Sequence, residues 1–365
     1  MKRAKTYQKF IAGAAAFSVV LLWLCAASPM VDPRSFSYAG VVGLAFPFFL
    51  AGVLLMLCLC LLLAARYTWI PLLGLLCAYQ PVFTYFPVHP FSSAPPDGAL
   101  KVMTFNVRLW GTWTEGYDEG HKHNLIAQYV AASGSDIVCL QEAYTTDKTF
   151  SKYIDPVMQI YAHRDTVRFD YSALALYTRF PILKKQEVCR DLTNGAMAYW
   201  LLTAPKDTLI VVNCHLKSMG MTQADREEFS DMVKHGGGAE QQHTEQTSRM
   251  VISKVAAASG VRAAMADSVA QFVRAHQRKK LMVCGDFNDT PISYTFRTIK
   301  EAGLTDAFST TATGLGRSFN RDAIIVRIDN ILCSSALRPY RCRIDRSIAT
   351  SDHYPMTAYI APAKE

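Results

Sequence analysis

The chain has 365 residues, half of them apolar, and a formal charge of +8. That length admits one or two domains with a full core. Once the cluster Lys2, Arg3, Lys5 and Lys9 is set aside, the charge is too mild a bias to demand nucleic acid as a partner. The 10 cysteines form no Cys-x-x-Cys pair, which argues against a zinc cluster and a disulfide framework.

Between Phe10 and Pro96 the only charged side chains are Asp32, Arg34 and Arg66. Three apolar runs fill this stretch, 10–31, 35–65 and 67–90. The first is long enough as a helix to cross a hydrocarbon core of ~30 Å. A cleaved signal peptide is the rival reading, with Lys2-Arg3-Ala4-Lys5 as its basic start and Ala26-Ala27-Ser28 as its small-residue end. Cleavage there would leave the next two runs without their partner. With the basic N-terminus inside, three spans put Arg66 in a short cytoplasmic turn and everything after Pro90 outside. The expected location is therefore a multi-pass membrane protein, in the manner of a bacterial inner membrane, with its globular part extracytoplasmic. A re-entrant third run, interrupted by Pro71 and Pro81, would return that part to the cytoplasm. Residues 91–99 are rich in turn formers and are expected to be a linker.

Residues 100–362 are expected to form the second domain. Leu100 to Val107 alternates Val102, Thr104 and Asn106 with Met103, Phe105 and Val107, the period of a strand. An amphipathic helix over 121–132 precedes a buried strand that ends on Gln141-Glu142. Further strands are predicted at 172–177, 197–203, 209–213, 281–285, 327–333 and 354–360. Helices between like strands predict a packed α/β arrangement.

Polar residues close several of these strands. Gly285-Asp286-Phe287-Asn288 follows the apolar Leu281-Met282-Val283-Cys284. In an extended segment the spacing of two puts the Asp286 carboxylate and the Asn288 amide on one face. Taken alone, the segment would be a solvated turn before Pro291. Asn106 and Glu142 are hard oxygen ligands suited to Mg²⁺. His215 ends the strand that carries Asn213, where a core histidine satisfied by backbone is the common case. Asp329 sits within an apolar strand, and burial of its carboxylate requires a partner. His353 in Ser351-Asp352-His353 is the candidate, since a carboxylate that orients an imidazole is a recurring acid–base device. A Ser/His/Asp hydrolase would use the same residue types, but no Gly-x-Ser-x-Gly elbow occurs.

Thr104-Phe105-Asn106, Leu140-Gln141-Glu142, Asn213-Cys214-His215-Leu216, Gly285-Asp286-Phe287-Asn288, Arg327-Ile328-Asp329 and Ser351-Asp352-His353 stand in the order of the endonuclease/exonuclease/phosphatase superfamily, which the chain resembles from Leu100 to about Ile360. The resemblance implies a four-layer α/β/β/α sandwich of two mixed sheets, preceded here by N-terminal transmembrane helices. It implies Mg²⁺, with Mn²⁺ as alternative, on Asn106 and Glu142, and places Asp352 near the metal. It gives Asp286 and Asn288 the attacking water and the phosphate, His215 the phosphoryl oxygens together with Asn213 in substrate binding, and Asp329 the orientation of His353. Either His353 or Asp286 is then the base.

Two departures stand out. Arg108-Leu109-Trp110 follows Asn106 where abasic-site nucleases of the family carry smaller residues, which argues mildly against DNA repair. Residues 217–277 form an insert of some sixty positions, expected either to cover the site as a lid or to pack on the sandwich as a helical hairpin. The resulting expectation is a membrane-anchored, metal-dependent phosphoester hydrolase. Its partners would be the bilayer and a phosphoester substrate, a lipid headgroup first and nucleic acid second, with no obligate protein partner. An inactive membrane-bound binding module is the alternative of another class.

Overall fold

The computed structural model describes residues 5–111, 124–220, 228, 241–320 and 326–363. The N-terminal part folds as α1 (Thr6–Ala27), α2 (Ala39–Leu44), α3 (Phe46–Leu63), α4 (Trp69–Cys77) and α5 (Tyr79–Tyr85). Gln8 Nε2 donates to Leu63 O at 3.1 Å, so α3 ends beside the start of α1 and runs back along it. At Gly74 of α4 an added Cβ would meet Val19 Cγ2 at 2.4 Å, and Trp23 Nε1 donates to the Gly74 carbonyl at 3.0 Å. The absent side chain lets the two helices approach this closely.

The segments Thr6–Met30 and Phe46–Leu63 are long and apolar enough to cross a membrane. The third expected span, 67–90, differs. It is broken at Ala78 into helices of 9 and 7 residues, neither of which reaches that length. Pro71 and Pro81 each fall early in their helix, where a missing N–H is tolerated.

From Leu100 the described residues form twelve strands, in two sheets of six. The first contains β1 (Leu100–Asn106), β2 (Ile137–Gln141), β3 (His163–Arg168), β4 (Ala173–Thr178), β11 (Leu337–Ile344) and β12 (Met356–Pro362), in the order β11-β12-β1-β2-β4-β3. The second contains β5 (Ile182–Arg190), β6 (Gly195–Ala204), β7 (Asp207–His215), β8 (Leu281–Asp286), β9 (Leu304–Asp306) and β10 (Asp329–Ser334), in the order β5-β6-β7-β8-β10-β9. In each sheet one central pair is parallel, β1 with β2 and β7 with β8, and the other pairs are antiparallel. The eight strands expected from sequence are the central ones. The four not expected, β3, β5, β9 and β11, are the four sheet edges, where one side of the ladder meets solvent and charged residues are tolerated. β5, Ile-Leu-Lys-Lys-Gln-Glu-Val-Cys-Arg, is almost wholly exposed or half-buried.

The period of two sorts the side chains. Val102, Cys139, Leu176, Val211, Met282, Cys284 and Ile331 point between the sheets and form the central core. Met103, Phe105 and Leu140 point outward onto the helix α6 (Leu125–Ala132), whose first turn is capped by Asn124. On the outer face of the second sheet Ile210, Val212, Leu281 and Val283 pack against α7 (Gln241–Ala275) and α8 (Tyr294–Lys300). The result is the four-layer α/β/β/α sandwich. The second half of the insert is thus one helix of 35 residues. Residues 221–238, apart from Glu228, lie outside the described residues, and with them most of the expected lid.

The helices and the sandwich are in direct contact. Ile292 packs among Val19, Leu22, Phe46 and Tyr85. Arg34 Nη2 lies 2.7 Å from Asp267 Oδ2 on α7, and a Cβ on Gly40 would meet Ser259 Oγ at 2.5 Å. Arg327 is fully buried. It pairs with Asp306 Oδ2 at 2.9 Å and also donates to the Thr84 carbonyl at 3.4 Å. The chain is anchored just before the expected linker, because His89 N donates to Thr313 Oγ1 at 2.8 Å and the His89 ring meets Ser309 O at 2.8 Å.

Candidate functional site

The inward columns of the sandwich are apolar along most of their length and polar at one end. Strand register brings those ends together: His215 of β7 pairs with Asp286 of β8, which pairs with Asp329 of β10, so three polar side chains stand side by side on neighbouring strands. From the facing sheet come Asn106, the last residue of β1, and Glu142, just past β2. Glu142 (φ 51) and Asn288 (φ 52) both adopt left-handed backbone, an uncommon conformation that recurs at ligand sites. Gly285 is required here. Its φ is 140, and a Cβ would lie 1.9 Å from the Cys214 carbonyl of β7.

Asp286 is the centre. Its Oδ2 accepts from Asn106 Nδ2 at 3.0 Å and from Asn288 Nδ2 at 3.3 Å. His353 Nε2 lies 3.7 Å away and His215 Nε2 3.9 Å. Asp286 Oδ1 accepts the Asn288 backbone N–H at 2.8 Å. Asp286 and Asn288 therefore converge through a tight turn, not through the extended alternation expected from their spacing. Glu142 Oε1 closes the group, 3.1 Å from Asn106 Nδ2 and 3.6 Å from His215 Nε2.

His353 Nδ1 lies 2.9 Å from Asp329 Oδ2, the expected pairing, and Phe319 meets the imidazole edge-on at 5.3 Å. Ser351 anchors this loop by donating from Oγ to the Asn106 carbonyl at 2.7 Å. Asp352, expected near the metal, lies 3.4 Å from Arg108 Nε. Asn213 lies deeper. It is fully buried in the core, its amide donating to the Leu140 and Ala175 carbonyls and accepting from Gln141 Nε2 at 2.7 Å. Both of its N–H donors go into joining the sheets.

Two further groups were not anticipated. Asn194, in the β5–β6 turn, is buried and donates from Nδ2 to the His215 ring (3.3 Å to Nδ1) and to Leu216 O at 3.2 Å. Arg262 of α7, also buried, pairs with Asp289 Oδ2 at 3.1 Å and donates to Lys217 O at 2.7 Å, bracing the two loops that carry Asn288 and His215. An Asn in a turn and an Arg on a long helix both read as surface features, and nothing in the local sequence marks either.

The electrostatics divide the titratable groups. Burial pushes Asp286 up to about 6, against the pull of His353. Burial would lower His353, but Asp329 and Asp286 outweigh it and hold the ring up at about 10. Burial lowers His215, consistent with a neutral ring that accepts from Asn194. At neutral pH the site therefore sets an ionised Asp286 between one cationic and one neutral imidazole.

The residues fit a divalent cation. Asp329 Oδ1 is buried without a hydrogen-bond partner, and burial raises Asp286 despite the pull of His353. Among the described residues the acidic and histidine side chains close enough to share an ion are Asp286, Asp329 and His353, their ligand atoms all within 4.8 Å of one another. This set differs from the expected Asn106, Glu142 and Asp352. Asp329 and His353 already satisfy each other at 2.9 Å. Glu142 and Asp286 form a second pair of carboxylates suited to a hard ion, joined by Asn106 Nδ2, while Asn106 Oδ1 accepts the Arg108 backbone N–H at 3.0 Å.

A sequence family described as the endonuclease/exonuclease/phosphatase family matches residues 103–353, and a domain of unknown function matches residues 8–85. No curated protein matches the chain. Among solved structures, an endonuclease/exonuclease/phosphatase from Bacteroides vulgatus is 18% identical with a TM-score of 0.50, covering 73% of this chain and 100% of that one. The human Nocturnin catalytic domain, solved with a bound sulfate anion, is 17% identical with a TM-score of 0.50, covering 73% and 94%. A functionally unknown conserved protein from Enterococcus faecalis is 13% identical, also at 0.50, covering 72% and 100%. At these identities the likeness is one of fold.

Proposed function

Because this chain belongs to the endonuclease/exonuclease/phosphatase family, whose members hydrolyse phosphoesters, we propose that it is a membrane-anchored, divalent-metal-dependent phosphoester hydrolase. The observation that carries the reading is the convergence on Asp286 Oδ2 of Asn106, Asn288, His353 and His215, all within 3.9 Å and drawn from both sheets.

Asn106, Glu142 and Asp286 would hold the metal, Mg²⁺ or Mn²⁺, which when bound supplies positive charge against the non-bridging oxygens of a phosphoester. Asp286, raised by burial to about 6 before metal binds, is placed to take a proton from water. His353 stays cationic up to about 10 and so serves as a fixed charge and hydrogen-bond donor to the phosphoryl group, oriented by Asp329. Asn288 and the neutral His215 supply further polar contacts to the same group. In-line hydrolysis needs this combination of an acceptor for the water proton and donors for the developing oxyanion.

The anchoring reading follows from the helices. α1 runs about 33 Å and α3 about 27 Å at the α-helical rise. The broken pair α4–α5 returns along α1, so that Lys5, Lys9 and Arg66 gather at one end and the sandwich sits at the other. By the positive-inside rule the sandwich is then extracytoplasmic. A site held this close to a bilayer favours a lipid headgroup as substrate over nucleic acid.

The test is hydrolysis of an aryl phosphodiester by the full chain with Mg²⁺ and then with EDTA. We expect metal-dependent turnover that is lost in His353→Ala. Absence of turnover, or full activity in the variant, would instead support a binding module. The same assay on nucleic acid and on lipid headgroups across a salt series separates the two substrate classes, because nucleic-acid binding weakens steeply with ionic strength.

A further inference from the structure

Away from the catalytic cluster, where the end of α1, the break between α4 and α5, and α8 meet, lies a cavity of about 640 Å³. Its walls are of two kinds. The helical bundle supplies apolar surface, in which Ala26, Ala27 and Ala78 leave the space open and the Trp23 indole is pinned through its bond to Gly74 O at 3.0 Å. The sandwich supplies Arg297 and Lys300, three positions apart and so on one face of α8.

Arg297 gives one donor to Glu301 Oε1 at 2.9 Å and reaches Pro29 O with another at 3.5 Å. Lys300 makes no ion pair among the described residues. Arg297, Lys300 and Glu301 together leave one positive charge at the sandwich end of an otherwise apolar cavity. Met30 and Tyr79, also in its lining, are 68% and 61% exposed, so the cavity opens onto the surface that the bundle turns outward.

We propose that this cavity is a binding site for an anionic membrane phospholipid, with its phosphodiester on Arg297 and Lys300 and an acyl chain along the walls of α1 and α4–α5. A soluble anion would use only the rim and leave the apolar wall against water. A zwitterionic lipid would fill the wall but bring a cation to a site already positive. A monoanionic phosphodiester with an acyl chain matches both. The inference rests on the membrane reading given above, and its occupant is distinct from whatever is hydrolysed at Asp286. The cavity also adjoins the catalytic loop: Pro291 and Ile292 line it, five and six residues beyond Asp286.

The full chain in mild detergent is titrated with phosphatidylglycerol or phosphatidylcholine, and bound lipid is counted by native mass spectrometry. We expect one phosphatidylglycerol held about tenfold more tightly than phosphatidylcholine, the effect of one charge-assisted contact. The preference should fall to about twofold or less in Lys300→Gln and in Arg297→Gln/Lys300→Gln. Ala78→Trp, which fills the cavity, should abolish retention of the lipid while the melting temperature confirms a folded chain. Equal retention of both lipids by the unaltered chain, an unchanged preference in the double variant, or displacement of phosphatidylglycerol by millimolar inorganic phosphate would overturn the proposal. Carbonate extraction of the membranes from which the chain is purified separates the failures. A chain released to the aqueous fraction defeats the membrane reading as well, whereas a membrane-retained chain without lipid preference defeats this proposal alone. Aryl phosphodiester turnover, read in parallel, is expected to be the same in Lys300→Gln as in the unaltered chain.

Discussion

Replacing Asp329 by asparagine tests the electrostatic arrangement of the site most directly. The side chain is fully buried, its Oδ2 is 2.9 Å from His353 Nδ1, and asparagine keeps its shape while removing its charge. His353 is held at about 10 against an ordinary 6.5, which corresponds to roughly 5 kcal/mol of preference for the cationic ring. Among the groups that raise it Asp329 is the largest, with Asp286 next, and burial works in the opposite sense. Without Asp329 the burial penalty meets Asp286, at 3.7 Å, and the smaller pull of Asp352. The ring should then lose its proton at least ~2 pH units lower, roughly 3 kcal/mol. Proton NMR of the full chain with labelled histidine, followed from about pH 5 to about pH 11, reads this value directly. Turnover of an aryl phosphodiester at neutral pH should fall about 10²- to 10⁴-fold, the range for loss of a positioned acid–base or charged group. A variant whose His353 still titrates near 10 and whose rate is unchanged would refute the assignment of Asp329 as the orienting partner.

EDTA should remove activity and Mg²⁺ restore it, and Glu142→Gln should raise the Mg²⁺ concentration for half-maximal rate at least ~10-fold; a variant with an unchanged metal requirement would remove Glu142 from the cradle. The rate should fall as pH drops through about 6, where Asp286 gains its proton, and saturating metal should move that limb to lower pH because a nearby cation favours the carboxylate. In metal-free protein the His353 contribution to stability has the sign of a raised imidazole: complete below the unfolded value of 6.5, lost as pH rises through about 10, and measurable as a declining melting temperature over that window. Gly285→Ala should cost about 3 kcal/mol, or roughly 6–12 °C in melting temperature, since its Cβ would lie 1.9 Å from Cys214 O and its φ of 140 is strained for any side chain; a melt within a degree of the parent would contradict that geometry.

What the sequence reveals and what it hides divide along physical lines. Central strands are legible because both faces are buried and the inward column turns polar only at its end, as in Val102-Thr104-Asn106 and Met282-Cys284-Asp286. Edge strands are not, because half of each meets solvent; β3 and β5 read as polar loops. The His353–Asp329 pair follows from the need to satisfy a carboxylate inside an apolar strand. Asn213 lies in line with His215, but one inward position deeper, where its amide bonds Leu140, Ala175 and Gln141. Asn194 and Arg262 act on the site only through folding, the first from a hairpin turn and the second from a helix that begins some thirty residues after His215. No local period encodes such meetings. The broken third apolar run is likewise a matter of placement, since Pro71 and Pro81 permit two short helices as readily as one kinked span.

The sandwich is not swung from a cord. Arg327 reaching Thr84, Arg34 reaching Asp267 and Ile292 seated among α1, α3 and α5 fasten it at several separated points. A cleft on a slack tether would sweep a range of altitudes above a lipid plane, whereas under the proposed anchoring this one would keep a single altitude. The span from the bilayer surface to the scissile phosphorus would then act as a ruler, and molecules of the wrong reach would be turned away before any side chain reads them.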